Sequence, residues 1–338
     1  MTAADKILIR GPNWVGDSVL AIPAMKAVRS QFPNAEITLL VRPWVAGVFT
    51  GAPFVNKLWT EPRPAGFSEW SRIARDIRAH EFDLAILFPN SFESALMMFL
   101  GRVPNRIGYA TDGRSLLLTN AVTPGVTGRH QVYYYLDLVK NLSVNVDRPS
   151  IEILATDEEK KAARRLLETE GIRADQKFMV LNPGAAYGSA KRWDDERFAG
   201  IGERLSQDLG LAVAIIGSEN ELPVARDIRE RMRSPATVLN GKTTLETLIG
   251  VLSLSSLMIT NDSGPMHIAA ALGVPTVAVF GSTDERVTGP FGARTRIVKC
   301  QVECSPCLLR ECPIDHRCMT RVTVDDVYRA ARELLSHA

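Results

Sequence analysis

Three short stretches carry residue types whose order could do chemistry. The first is Thr260-Asn261-Asp262-Ser263-Gly264-Pro265-Met266-His267, running on into the apolar residues 268–272 and Gly273. It reads as a strand that stops, a polar turn and the start of a helix. Ser263 suits the helix cap, and Pro265 suits the first turn, where a missing N–H costs least. Gly264 lets another group approach the backbone closely. Free N–H groups and the positive end of the helix dipole would suit a phosphate there, although an ordinary capped helix packed on a sheet has the same pattern. The second stretch, Pro183 to Trp193, has small residues followed by Lys191 and Arg192. A glycine-rich turn ending in lysine can set an ammonium against a phosphate as a point charge; the alternative is a solvated basic turn. The third is Arg10-Gly11-Pro12-Asn13-Trp14-Val15-Gly16-Asp17. Asp17 could take a hydroxyl proton within hydrogen-bond reach, or could cap its helix.

Other residues fit less sharply. Glu219 and Glu221 follow a strand ending at Ile216 and could meet ribose hydroxyls, or could sit in water at a helix start. His267 reads first as a partly buried histidine with a structural hydrogen bond, and second as a group facing an anion. Five cysteines fall at Cys300, Cys304, Cys307, Cys312 and Cys318, with His316 among them. Four of these, Cys304, Cys307, Cys312 and Cys318, match the ligand number of a tetrahedral zinc, but their spacings match no familiar zinc ribbon. Reduced thiols filling a small loop core are the favoured reading. Some motifs are missing. The chain has no Gly-x-Gly-x-x-Gly, no Gly-x-x-x-x-Gly-Lys and no Asp-x-Asp. A bound diphosphate would therefore be neutralised by protein groups, and a nicotinamide oxidoreductase is disfavoured.

The elements that must position these residues alternate strand and helix, the pattern of a parallel sheet covered on both faces. Strands are predicted at 6–10, 36–41, 83–88 and 177–181, with an edge strand at 106–109. Further strands are predicted at 212–216, 257–260 and 276–280. Helices are predicted at 17–31, 69–80, 93–101, 156–171, 197–209, 221–232, 243–254 and 324–335. The pattern weakens over 143–155 and restarts. We therefore expect two α/β domains, 1–152 and 153–338, with the last helix, 324–335, able to return to the first domain. In such sheets ligands bind beyond the carboxyl ends of the strands. The candidate loops all follow strand ends and are expected to share an interdomain cleft. At 338 residues the length suits two domains, and 40 basic against 38 acidic residues, a net charge of +2, give no support for nucleic-acid binding. The polar start Met1–Asp5 shows no export signal, and no apolar run reaches membrane-spanning length, so a cytoplasmic protein is expected.

Taken together, these residues resemble the lipopolysaccharide heptosyltransferases. The matching pieces are Arg10–Asp17 with Pro23-Ala24, Pro183-Gly184-Ala185 leading to Lys191-Arg192-Trp193, Asn261–His267 with Ala269–Gly273, and the segment Cys304–Met319. The Gly11–Asp17 and Lys191–Trp193 pieces point to the branch that adds the second heptose. Asp194 departs from the resemblance, which calls for proline there. The resemblance implies a glycosyltransferase-B fold of two Rossmann-like domains, the first binding acceptor and the second nucleotide sugar. It implies an inverting, metal-independent transfer of L-glycero-D-manno-heptose from ADP-heptose, without a cofactor. The acceptor implied is the first heptose of the inner core on Kdo2-lipid A, met at the cytoplasmic face of the inner membrane, with a monomer favoured. Asp17 matches the catalytic aspartate and Lys191 the phosphate-binding lysine. Asp262 lies beside the donor, and Ser263, Gly264, Pro265, Met266 and His267 match the pyrophosphate turn. Glu219 matches the ribose contact, and Lys242-Thr243 match the stretch meeting adenine. Asn13, Trp14, Arg42 and Arg106 are acceptor candidates, with Arg63, Arg102 and Arg114 and the indoles of Trp44, Trp59 and Trp70 behind them. The alternatives are a transferase of the same family with another acceptor or sugar, and a two-domain protein that only binds a nucleotide or small anion.

Overall fold

Apolar runs closed off by turn residues become parallel strands, because each is long enough to cross a sheet and too short to form a buried helix. The computed structural model describes residues 4–125, 128–142, 146 and 148–336. Met1–Ala3 and most of 143–147, within the predicted linker, lie outside those residues. Packing divides the chain into two compact units, Met1–Ile151 and Glu152–Ala338. The first unit contains β1 (Lys6–Arg10), β2 (Glu36–Val41), β3 (Lys57–Thr60), β4 (Leu84–Leu87), β5 (Asn105–Tyr109) and β6 (Asn120–Val122). The second contains β7 (Phe178–Asn182), β8 (Ala212–Ile215), β9 (Ala236–Val238), β10 (Leu257–Asn261), β11 (Thr276–Phe280) and β12 (Thr295–Lys299).

The sheets run β3-β2-β1-β4-β5-β6 and β12-β11-β10-β7-β8-β9. Counted from its own first strand, each has the order 3-2-1-4-5-6. Strand order therefore reverses between β1 and β4 in one unit and between β7 and β10 in the other. At such a reversal the loops leave in opposite directions and open a crevice above the strand ends, where open α/β sheets bind ligands.

All four sheet edges, β3, β6, β9 and β12, are absent from the sequence reading. Edge strands are short and half-exposed, as in β12, Thr295–Lys299, which has no fully buried residue, so they lack the covered apolar run that marks an interior strand. The expected edge strand at 106–109 is instead β5, an interior strand paired with both β4 and β6. The predicted helix 17–31 is two helices, Val15–Leu20 and Ile22–Gln31. Pro23 has no N–H to donate back across the joint at Ala21. The sequence reading also missed the helix Gln131–Val139, which buries Val132, Tyr135 and Leu138.

The last helix, Val324–Ser336, does not leave its own unit. It buries Val327, Ala331 and Leu334 in the second unit's own core, with Trp193, Phe198 and Met319. Its one apolar stripe is thus already covered.

The helix Asp157–Thr169 starts with a capping box in which Thr156 and Glu159 exchange side-chain and backbone hydrogen bonds. It lies directly on the helix Leu245–Leu254. A methyl group added at Gly250 would sit 2.2 Å from the Glu159 carbonyl oxygen. The obstacle is backbone and cannot rotate away, so Gly250→Ala should destabilise by about 1–3 kcal/mol. Calorimetry should show the melting temperature falling by about 2–4 °C for each kcal/mol lost; an unchanged melting temperature would mean the helices have room to part.

Candidate active site

In the second unit, β7 and β10 lie side by side at the strand-order reversal, with Thr260 in register with Asn182. Their loops must therefore meet. Asn182 is buried and donates through Nδ2 to Thr260 Oγ1 at 2.8 Å and to Ser263 Oγ at 2.7 Å. Asn261 donates to the Pro183 carbonyl at 2.8 Å and accepts from the Trp193 N–H at 3.1 Å. These two asparagines tie the turn after β10 to the loop after β7. Trp193 is fully buried, and its indole N–H donates to the Val322 carbonyl at 2.9 Å, fixing the loop's far end.

That loop delivers Lys191. Its Nζ lies 2.6 Å from Asp262 Oδ2, with the two side chains 13% and 6% exposed. Thr283 Oγ1 donates to the same carboxylate oxygen at 2.7 Å. The ammonium also lies 4.9 Å from the centre of the Tyr187 ring. The helix Gly264–Ala271 begins two residues after Asp262. Ser263 holds its cap position, but the expected side-chain cap is not made, because Asn182 has captured the hydroxyl. The first N–H groups of a helix have no partner within the helix, and Pro265 removes one of them. What remains is a set of backbone donors on a positive dipole end, with a lysine drawn to the same turn by Asp262. That arrangement can hold a phosphate.

The other predicted residues of this unit fall into two groups. Met266 is buried against Ala278 and Phe280, so only its backbone faces the turn, and His267 is buried in the first helical turn. Glu221 accepts from the N–H and hydroxyl of Ser218, both at 2.8 Å, and so acts as a helix cap. Glu219 is exposed beside it. Lys242 pairs with Glu170 at 2.6 Å, which commits its ammonium, while Thr243 is half-buried next to it.

The cysteine segment braces the lysine loop. Ala190 N–H donates to the Arg310 carbonyl at 2.9 Å, and His316 Nε2 lies 2.9 Å from the Ala190 carbonyl. Tyr187 donates to the Leu308 carbonyl at 2.9 Å. Any side chain at Gly188 would strike the Arg310 carbonyl, 2.2 Å from its first carbon. Among the described residues, no three cysteine, histidine or carboxylate side chains stand where they could hold a metal. Burial, then the neighbouring Cys304, Cys307 and Cys312, push the Cys318 thiol up to about 11.

In the first unit the turn after β1 is held rigidly. Arg10 is buried and donates to the Gly11 carbonyl and to Asn13 Oδ1, each at 2.5 Å. Burial, then the nearby Arg42 charge, lower Arg10 to about 9, so it stays charged at neutral pH. Trp44 donates through its indole N–H to the Asn13 carbonyl at 2.8 Å. Trp14 is the cap residue of the helix Val15–Leu20 and is 69% exposed. Asp17 is therefore the third helical residue and not the cap. Its Oδ1 accepts from the Tyr135 hydroxyl at 2.8 Å.

Arg42 donates to the Pro62 carbonyl at 2.7 Å and pairs with Glu93 at 3.2 Å, so its guanidinium serves the fold. Arg63 lies 3.9 Å from the same carboxylate and is largely exposed. Arg106, near the start of β5, donates to the Leu117 carbonyl at 2.6 Å and is not brought to the Asp17 turn, which follows the end of β1. Arg114 is fully buried on the Tyr109 carbonyl and Ser94. Arg102 is exposed. Trp59 bonds Glu61, and Trp70 packs on the core. The residues that sequence reasoning missed are Asn182, Thr283 and Tyr135. The first two are ordinary polar residues in or after strands, and Tyr135 sits on a helix with no polar motif.

The family described as glycosyltransferase family 9 (heptosyltransferase) matches residues 70–317. Lipooligosaccharide heptosyltransferase 2 of Haemophilus influenzae is 31% identical over 306 residues, spanning 87% of this chain and 88% of that protein. Its counterpart in Campylobacter jejuni is 29% identical over 340 residues, 98% and 99% of the two chains. Among solved structures, ADP-heptose lps heptosyltransferase II of Escherichia coli superposes with a TM-score of 0.84 at 24% identity, covering 98% of this chain and 99% of that one. A glycosyl transferase family 9 protein of Veillonella parvula gives 0.88 at 22% identity, covering 99% and 98%. The fold is therefore glycosyltransferase-B, as the resemblance implied. Among the described residues no helix is long and apolar enough to cross a membrane.

A double-mutant cycle on Lys191→Met and Asp262→Leu tests the pair at the centre of this site. Chemical denaturation should give a coupling of about 0.5–3 kcal/mol; additive losses would mean the two charges do not interact.

Proposed function

Because the chain belongs to glycosyltransferase family 9, the heptosyltransferases, we propose that it transfers L-glycero-D-manno-heptose from ADP-heptose to the first heptose of the lipopolysaccharide inner core. The observation that carries this reading is the Lys191–Asp262 contact at the start of the helix Gly264–Ala271. A cation and backbone donors gathered at one turn would suit a departing diphosphate. The second unit would hold the donor, and the first would present Asp17 to the acceptor.

The reaction is an inverting displacement. The acceptor hydroxyl oxygen attacks the anomeric carbon from the face opposite ADP. Asp17 takes its proton, the carbon–oxygen bond to the diphosphate breaks, and ADP leaves with the electron pair. Negative charge grows on the diphosphate as that bond breaks. The N–H groups of Gly264 and Met266 and the ammonium of Lys191 would stabilise it without reorganising. Lys191 would exchange Asp262 for a phosphate oxygen, and Thr283 would keep the released carboxylate hydrogen-bonded. Without an Asp-x-Asp pair for a divalent ion, we propose that the transfer needs no metal. The indole of Trp14 and the guanidinium of Arg63, both exposed, are suited to a phosphorylated saccharide. The enzyme would meet this acceptor at the cytoplasmic face of the inner membrane.

Incubating the protein with ADP-heptose and heptosyl-Kdo2-lipid A in EDTA should give a product one heptose heavier by mass spectrometry. Asp17→Ala should lower turnover by about 10²–10⁴-fold, the range for a general base, while ADP binding by calorimetry stays unchanged. Full turnover in that variant would remove Asp17 from the chemistry. Transfer to a different acceptor or from a different sugar would keep the enzyme class and change the substrate. ADP binding without any transfer would favour a nucleotide-binding protein.

A further inference from the structure

Tyr135 is 4% exposed, yet its hydroxyl reaches Asp17 across 118 positions of sequence. A buried hydroxyl that donates to a carboxylate lends it a charge-assisted bond, and that bond has a direction. The donor of this one sits on the helix Gln131–Val139, which packs on the helix Ile22–Gln31 and touches the helix Val15–Leu20 that carries Asp17. Gln131 lies one turn before Tyr135 on the same helix face, and its side-chain amide bears on the phenol, lowering it against the larger opposing effects of burial and Asp17. An ionised carboxylate can only accept, so the phenol's own proton is turned toward Asp17. The ring is also held by Phe88, which leaves the end of β4 with ring centroids 5.5 Å apart, and by Tyr134, edge-on at 5.7 Å.

We propose that Tyr135 is a positioning residue for the Asp17 carboxylate. It occupies Oδ1, fixes the rotation of the carboxylate and favours its ionised form. This inference rests on the proposed role of Asp17 as the base. Tyr135 cannot share that role. Burial and then the Asp17 charge hold its hydroxyl well above the usual phenol range, so it remains a donor throughout. The groups that bear most on the phenol's charge are Asp17, Gln131 and Tyr134. Among these Asp17 is the one that changes charge in the acid range, so a shift in that range reports on it.

Three variants of the full chain separate the possibilities: Tyr135→Phe, Gln131→Leu and Asp17→Asn. Tyr135→Phe keeps the ring and its packing. It should lower kcat by about 10–100-fold, a part of what a general base supplies, and leave ADP affinity within about twofold of wild type. The acid limb of its kcat/KM profile should move to higher pH, because a carboxylate that loses a donor protonates more easily. Gln131→Leu should move the same limb in the same direction by less, which provides the test if the phenylalanine variant folds poorly. Unchanged kcat and pH profile in both variants, with Asp17→Asn inactive, would overturn the positioning role and leave Asp17 as the base. An active Asp17→Asn would instead remove the reading on which this inference stands. A fall in melting temperature with no movement of the acid limb would make Tyr135 a packing residue and overturn the proposal.

Discussion

The second unit is organised around one contact, Lys191 Nζ to Asp262 Oδ2, made almost out of water. Two opposite charges so placed lose hydration that their attraction does not easily restore, so the pair contributes little net stability. It does set position. A long, flexible lysine side chain is held at the turn where a helix begins, and a neutral partner would not hold it there as firmly. On the proposed reading the carboxylate stands in for the diphosphate until the donor arrives. The lysine then needs a change of partner and not a change of place.

That contact depends on strand order. β7 and β10 are neighbours because the chain crosses over between them, and only neighbours can bring two loops within reach of one salt bridge. Asn182 and Asn261 convert adjacency into fixed distances, each binding across from one loop to the other. The cysteine segment, remote in sequence, closes the outer side of the lysine loop through Arg310 and His316. The first unit repeats the same strand order and places Asp17 at its own reversal. It uses a different device there, the buried Arg10 under Asn13 and the phenol of Tyr135 on the carboxylate.

How much of this was legible in the sequence follows from what each feature needs. Interior strands such as β1, β7, β10 and β11 show as apolar runs because both of their faces are covered. The edges β3, β6, β9 and β12 do not, since one side faces water. Lys191, Asp262 and the helix start at Gly264 were legible because glycine, proline and a polar turn cluster in a few positions. Their pairing was not, because it joins residues 71 positions apart. Ser263 misled as a helix cap. Its composition fits that role, but an asparagine from another strand competes for the hydroxyl. Arg42 and Arg114 misled as acceptor candidates, because carbonyl oxygens gathered around a buried guanidinium leave no mark in sequence. Tyr135 was hidden for a related reason: one tyrosine in the run Tyr133-Tyr134-Tyr135 differs from the others only in which side of its helix it occupies.

On the proposed reading the turn from Asp262 to Met266, with Lys191, is a diphosphate site. A crystal structure of the full chain with ADP tests it most directly. Phosphate oxygens should lie on the N–H groups of Gly264 and Met266, with the Lys191 ammonium moved from Asp262 onto a phosphate. A diphosphate bound elsewhere, with the Lys191–Asp262 contact intact, would contradict it.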